Sequence, residues 1–195
     1  MKDYDEIVAI VDEANKIIGS ETRSKMRKQG LKHRATYILV FNSIGELFVQ
    51  KRTQTKDIYP GYYDVVTGGV VLKGEDYEES AYRELEEEMG ITNTTLGLLF
   101  DFYFEEPRNC VWGRVYECVS DGPFILQKEE VESGDFYSVE EILKMSKFDP
   151  FTPDGLYVLQ HYLNLSLTSS TQSPSDVNAI IEPSDDHLNS STPSS

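Results

Sequence analysis

Short apolar blocks separated by turn residues cover most of the first 165 positions, and their period shifts from strand-like to helix-like at definable breaks. Residues 6–11 followed by residues 15–19 predict a short hairpin. Residues 22–29 are basic and predict a short helix ended by Gly30. The apolar runs 36–41 and 47–51, joined by Asn42-Ser43-Ile44-Gly45, predict a second hairpin. A strand over 63–67 leads into two glycines, after which Ala81, Leu85 and Met89 recur at every fourth position, the spacing of one helical face. Segments 95–104 and 111–119 predict strands, and a further short segment begins at Phe136. Residues 139–145 and 155–163 predict helices, the second starting from Thr152-Pro153-Asp154. This order predicts an α/β protein whose mixed β-sheet lies between helices, an α/β/α sandwich.

The pattern stops near residue 166. From there Ser and Thr dominate, with Pro174, Pro183 and Pro193 among them, which predicts a disordered tail over 166–195 without a catalytic part. Residues 35–165 then form the domain core, and the hairpin and helix of residues 1–34 belong to the same domain. A net charge of −16 weighs against nucleic-acid polymers and anionic membranes as partners. Cys110 and Cys118 lie in one apolar segment and read as small core residues rather than as a disulfide, zinc or redox pair. No apolar stretch reaches membrane-spanning length, and the acidic N-terminal residues lack the regions of a signal peptide. The expected location is the cytoplasm, with the nucleus also open to the protein.

The candidate chemistry lies between Gly68 and Ile91. Gly68-Gly69 ends an apolar run and allows a sharp turn. Gly74-Glu75-Asp76 opens a helix whose first turn is acidic, which suits the helix dipole, and Gly90 is placed to close it. Glu84, Glu87 and Glu88 stand at i, i+3 and i+4, so their carboxylates share one face beside the apolar stripe. Like charges at that spacing destabilise a helix by a few tenths of a kcal/mol per pair, about the reverse of an opposite-charge pair. A divalent cation reverses the sign of that interaction. Mg²⁺ suits such a site, with Mn²⁺ as a substitute, because it is held by one or two carboxylates and keeps water and substrate phosphate as its other ligands.

The residues from Gly69 to Ile91 follow the order G-x5-E-x7-R-E-U-x-E-E-x-G-U, where U is aliphatic, and this resembles the signature of the Nudix hydrolases. At residue frequencies of about one in fifteen, its seven fixed positions coincide roughly once in a hundred million starting points. The resemblance implies the Nudix fold and hydrolysis of a diphosphate linked to another moiety. It implies that Glu84, Glu87 and Glu88 bind the metal, with the Gly69 carbonyl as a further ligand. Arg83 then orients the carboxylates, Glu75 supports the loop–helix junction, and Glu84 or Glu88 serves as general base.

Flanking segments are similar to the isopentenyl-diphosphate isomerase-like branch of that superfamily: His33-Arg34-Ala35, the run NSIGELFVQKR ending at Arg52, and Pro60-Gly61-Tyr62-Tyr63-Asp64. The similarity spans roughly residues 4–163. An isomerase of this branch needs a cysteine where Thr67 stands and a histidine where Gly69 stands, and its paired glutamates fall near Asn109 and Val111. Only His33 survives of its metal ligands, and a structural, hydrogen-bonded His33 is expected. A complete signature favours a hydrolase over the isomerase and over a non-catalytic diphosphate binder.

The expected function is therefore Mg²⁺-dependent hydrolysis of the diphosphate linkage in a nucleoside diphosphate derivative or another small organic diphosphate. Lys51 and Arg52, at a strand end near the box, are the expected substrate-phosphate contacts, with Lys56 in the loop that follows. Tyr59, Tyr62, Tyr63 and Trp112 are expected to pack in the core or at its rim. Glu105, Glu106, Glu129, Glu130 and Glu132 are expected as solvated loop charges, with a late-loop metal ligand as the competing role.

Overall fold

The computed structural model describes residues 6–107 and 109–170. The chain runs β1 (Ile7–Val11), β2 (Ile17–Thr22), α1 (Arg23–Gln29), β3 (His33–Phe41), β4 (Leu47–Arg52), β5 (Tyr63–Asp64), α2 (Tyr77–Met89), β6 (Gly97–Glu106), β7 (Asn109–Val119), β8 (Val131–Tyr137), α3 (Val139–Met145) and α4 (Pro153–Ser170). No helix among the described residues is long and apolar enough to cross a membrane. The helix α4 runs to Ser170, past the expected start of the tail, and the tail beyond it lies outside the described residues.

The sheet is mixed. β3 pairs in parallel with β7 along its whole length, and β6 and β7 form an antiparallel hairpin. β4 pairs antiparallel with β8, whereas β3 and β4 share only the register pair Phe41↔Leu47. The two strands splay apart, and the segment leading to the box enters the gap. Thr67 bridges to Ile38, Val70 to Ala35 and Leu72 to Val8, each as an isolated pair. The strand expected over 63–67 is therefore only two residues of regular ladder, because the chain leaves β4 after Asp64 and crosses to β3. β8 exceeds its expected length: Glu132, Ser133, Gly134 and Asp135 are exposed and carry no apolar alternation, yet their backbone pairs with β4.

Side chains of β3 alternate between two cores. Ala35, Tyr37 and Leu39 pack with Ile142, Val158 and Leu159 of α3 and α4. Ile38 and Val40 pack with Ala81, Leu85 and Met89 of α2. Helices thus cover both faces, the expected α/β/α sandwich. A third cluster of Val8, Ile10, Met26 and Val70 seats α1 against the first hairpin.

The helix α2 is closed at both ends by local chemistry. Asp76 accepts from the Glu79 amide at 2.9 Å while the Glu79 carboxylate accepts from the Asp76 amide at 3.0 Å, a reciprocal capping box. Gly90 ends it with φ 70°, its amide bonded to the Glu86 and Leu85 carbonyls. Burying Leu85 and Met89 stabilises the fold by about 1.5–3 kcal/mol each. That stripe fixes the rotation of α2 and so the direction in which its acidic face points.

Candidate active site

At Gly68 and Gly69 the box loop passes between β3 and Glu84 of α2 with no room for a side chain. Gly68 has φ 144°, and a β-carbon on it would lie 2.2 Å from the Thr36 carbonyl oxygen. A β-carbon on Gly69 would lie 2.4 Å from Glu84 Oε1. Both glycines are required by close approach, the first by its backbone conformation as well.

Behind them the helix presents its carboxylates. Glu84 and Glu88 are buried, and Glu87 is exposed. Arg83 ties the group together. It donates to both oxygens of Glu75, from Nε at 2.8 Å and from Nη2 at 3.1 Å, the bidentate geometry that gives strong charge-assisted bonds. Its Nη1 donates to Glu84 Oε1 at 2.7 Å and lies 3.4 Å from Glu87 Oε2. Burial pushes the Glu75 carboxyl up, but the Arg83 guanidinium outweighs it and holds that carboxyl below its ordinary range. Burial likewise works against the Arg83 charge, yet Glu75 and Glu84 raise its pKa further.

Two features fit a divalent cation. Glu84 Oε2 is buried and has no hydrogen-bond partner, a costly arrangement for a carboxylate unless something positive meets it. Glu84, Glu87 and Glu88 also crowd the negative end of the helix dipole, and the last turn of α2 has no basic residue to offset them. Among the described residues no three acidic, histidine or cysteine side chains are grouped so as to hold a metal ion between them. The cation would thus take part of its coordination from protein carboxylates and complete it with water and substrate oxygens.

A cavity of about 60 Å³ adjoins Gly68, Gly69 and Val70. Its walls carry Arg23 and Arg27 from α1, Arg52 from the end of β4 and Lys56 from the following loop. Arg27 is buried, and its Nη1 donates to Asn109 Oδ1 at 2.9 Å and sits 3.3 Å from His33 Nε2. His33 Nδ1 lies 3.0 Å from the Leu31 carbonyl, so Nδ1 carries the hydrogen and Nε2 accepts. Burial first, then the Arg27 charge, depress the His33 pKa to about 3 and keep the ring neutral. Asp154 accepts from the Tyr37 hydroxyl at 2.9 Å and from Asn109 Nδ2 at 3.0 Å. Burial pushes Asp64 up to about 7; Arg52, 3.5 Å away, opposes the shift and the Asp154 charge adds to it.

Residues 31–161 match the NUDIX domain family model. The chain belongs to the Nudix hydrolases. It is 46% identical over 159 residues to an uncharacterized Nudix hydrolase of Pseudomonas aeruginosa, covering 82% of this chain and 94% of that protein. It is 48% identical over 155 residues to the uncharacterized Nudix hydrolase YfcD of Escherichia coli, covering 79% of this chain and 84% of that one. A Deinococcus radiodurans crystal structure aligns with a TM-score of 0.71 at 25% identity, over 80% of this chain and 98% of that one. Nudix hydrolases act on pyrophosphate bonds of small diphosphates and typically depend on a divalent metal.

Of the expected box residues, Arg83 contacts Glu84 and Glu87, Glu84 lies against Gly69, and Glu88 reaches the amide of the adjacent Gly68. The Gly69 carbonyl is partly engaged: it accepts from the Thr36 amide at 2.9 Å and from its hydroxyl at 3.4 Å, and a cation there would displace the hydroxyl. Of the expected phosphate contacts, Arg52 lines the cavity and Lys51 does not. Strand alternation turns Lys51 the other way, with its Nζ 5.6 Å from the Tyr63 ring centre. Tyr63 and Trp112 pack on Phe151 and Tyr103, and Cys110 and Cys118 are buried free thiols, as expected.

Two of the expected loop charges depart from expectation, the first being Glu106, which ends β6, is partly buried and accepts from the Tyr59 hydroxyl at 2.6 Å. Glu130, the second, is buried and paired with Lys56, because β8 draws it in against the loop after β4, while Glu129 and Glu132 are exposed. The sequence reading also missed Arg23, Arg27, Asn109 and Asp154. For the arginines a signal existed: they are spaced i, i+4 on α1 and flank Met26, the buried residue that shows which face turns inward.

Proposed function

We propose that this protein is a Mg²⁺-dependent pyrophosphohydrolase, with Mn²⁺ able to substitute, that cleaves the diphosphate linkage of a nucleoside diphosphate derivative or another small organic diphosphate. The observation that carries this reading is Glu84 Oε2, buried and unpartnered beside Gly69 and held in place through Arg83. Glu84, Glu87 and Glu88 would hold the cation. When bound, it supplies charge neutralisation at the phosphate oxygens and a more acidic water. Arg83 fixes the Glu84 carboxylate so that ligand geometry is set before substrate arrives. Glu88 Oε2 lies 3.4 Å from the Gly68 amide, at the mouth of the box loop, which suits it to take a proton from the attacking water; Glu84 is the other candidate. Arg52 faces the substrate phosphate from across the cavity.

Arg27 weighs against an isomerase of the related branch. The positions that resemblance assigns to metal ligands include His33 and Asn109, and both contact the Arg27 guanidinium. A second cation would be repelled from that place.

The test is ³¹P NMR of purified protein with Mg²⁺ and a panel of ADP-ribose, nucleotide sugars, dinucleoside polyphosphates, nucleoside triphosphates and isopentenyl diphosphate. Appearance of phosphate-monoester or pyrophosphate signals that the Glu88→Gln variant fails to produce supports the reading. Equal product from the variant would remove Glu88 from the chemistry.

A further inference from the structure

The loop of residues 53–62 borders the cavity through Lys56 and Ile58, and its Asp57 faces the arginines of α1. Asp57 Oδ2 lies 3.5 Å from Arg23 Nε and 3.6 Å from Arg27 Nε. These are ion pairs at the length limit, beyond a good hydrogen bond. Arg27 Nε is buried with no hydrogen-bond partner, and Gln50 Oε1 on the same cavity wall is equally unsatisfied. Asp57 itself retains 38% of its side-chain exposure, so it sits at the rim, above arginines that reach deeper. Arg23 Nη1 is already paired with Glu6 at 2.9 Å and Arg27 Nη1 donates to Asn109, but the buried Arg27 Nε is met only by this distant, partly exposed carboxylate and is under-satisfied.

We propose that Arg23 and Arg27 form a binding subsite for a phosphate of the substrate, and that Asp57 occupies it as an internal anion until the substrate displaces the loop. This rests on reading the neighbouring box as the hydrolytic centre. A phosphate carries more charge and more acceptor oxygens than one carboxylate, and it can bond guanidinium donors at about 2.7–2.9 Å. The cavity of about 60 Å³ is small for a phosphate group, and displacement of the loop that carries Asp57 would enlarge it. The subsite and the box are joined: the same cavity touches Gly68 and Gly69, and the Glu84 charge acts on Arg23. A ligand seated on the arginines therefore lies within reach of the carboxylates. Arg52 and Lys56 also act on Asp57, but Arg52 is paired with Asp64 and Lys56 with Glu130, so the incoming anion would be met chiefly by Arg23 and Arg27.

The test is calorimetric titration of the full chain with inorganic pyrophosphate in EDTA. Without metal the acidic box repels anions, so binding reports on the arginines. Asp57→Asn should bind pyrophosphate at least about ten-fold tighter than the wild type, a gain of about 1.4 kcal/mol. Arg23→Gln, at a partly exposed position, should bind at least about five-fold more weakly, with unchanged circular dichroism showing an intact fold. Unchanged or weaker binding by a folded Asp57→Asn, or unchanged binding by Arg23→Gln, would overturn the subsite. Neither result involves metal or turnover, so failure here leaves the hydrolytic reading of the box standing, and loss of that reading would leave these affinities as they are.

Discussion

The carboxylate of Glu84 occupies the space that a side chain on residue 69 would need: Oε1 is 2.4 Å from the position of a β-carbon on Gly69. Substituting Gly69→Ala must therefore displace Glu84 or the loop. Because Arg83 and the burial of α2 resist the first, both shift in part. Turnover should fall by about 10²-fold or more, as misplacement near 1 Å does in catalytic sites. Steady-state kinetics on whichever panel member is cleaved checks this, and activity within a few-fold of wild type would show that Glu84 placement is not critical.

Glu84→Gln separates metal binding from folding. In metal-free buffer the substitution removes a buried negative charge and leaves Arg83 with Glu75, so the melting temperature should change little. Adding Mg²⁺ should raise the wild-type melting temperature through preferential binding to the folded state, about 2.7 kcal/mol at one hundred times Kd, and should leave the variant nearly unmoved. Equal Mg²⁺ shifts in both proteins would place the ion elsewhere.

Leu85→Ala tests the core beneath the acidic face. Leu85 is fully buried between Ala81, Met89 and β3, so its truncation should cost about 2–5 kcal/mol in urea denaturation. A loss under about 1 kcal/mol would mean that α2 is held chiefly by its caps and by Arg83.

Asp64 gives the stability curve a distinctive pH term. Burial, reinforced by the Asp154 charge, raises its folded-state pKa to about 7 from an ordinary value of 3.8. Between these values the folded chain binds a proton that the unfolded chain has released, so this group's contribution falls as pH rises from about 4 to about 7 and is flat above. His33 works the opposite way: its pKa falls from 6.5 to about 3, so its contribution is lost as pH drops below about 6.5. The two largely cancel in the wild type. Removing one exposes the other, and Asp64→Asn should gain stability relative to wild type between pH 5 and pH 8. A difference in unfolding free energy that is constant over that range would contradict the assignment.

The legible and illegible parts of the molecule differ in physical kind. The stripe of Ala81, Leu85 and Met89, the Gly90 cap and the glutamate spacing are properties of one continuous helix, so local periodicity states them fully. The unbroken apolar run of β3 similarly announces a strand, of the kind covered on both faces. β8 could not be read this way, since Glu132 to Asp135 lie on exposed backbone whose partner is β4, far away in sequence. Burial of Arg27 is also invisible locally: it arises when α1 folds over β3 and meets Asn109 on β7. Lys51 and Arg52 are adjacent in sequence, and only the register of β4 decides that Arg52 faces the cavity. Residues of the box declared themselves because their chemistry is local; the cavity did not, because it is assembled from α1, β3, β4, β7 and a loop.

The central claim is that the face carrying Glu84, Glu87 and Glu88 holds a divalent cation. Electron paramagnetic resonance titration with Mn²⁺, comparing the wild type with Glu84→Gln, addresses it most directly. The wild type should convert free Mn²⁺ signal to bound signal, with affinity at least about ten-fold above that of the variant, a difference of about 1.4 kcal/mol. Indistinguishable Mn²⁺ binding by the two proteins would contradict the account.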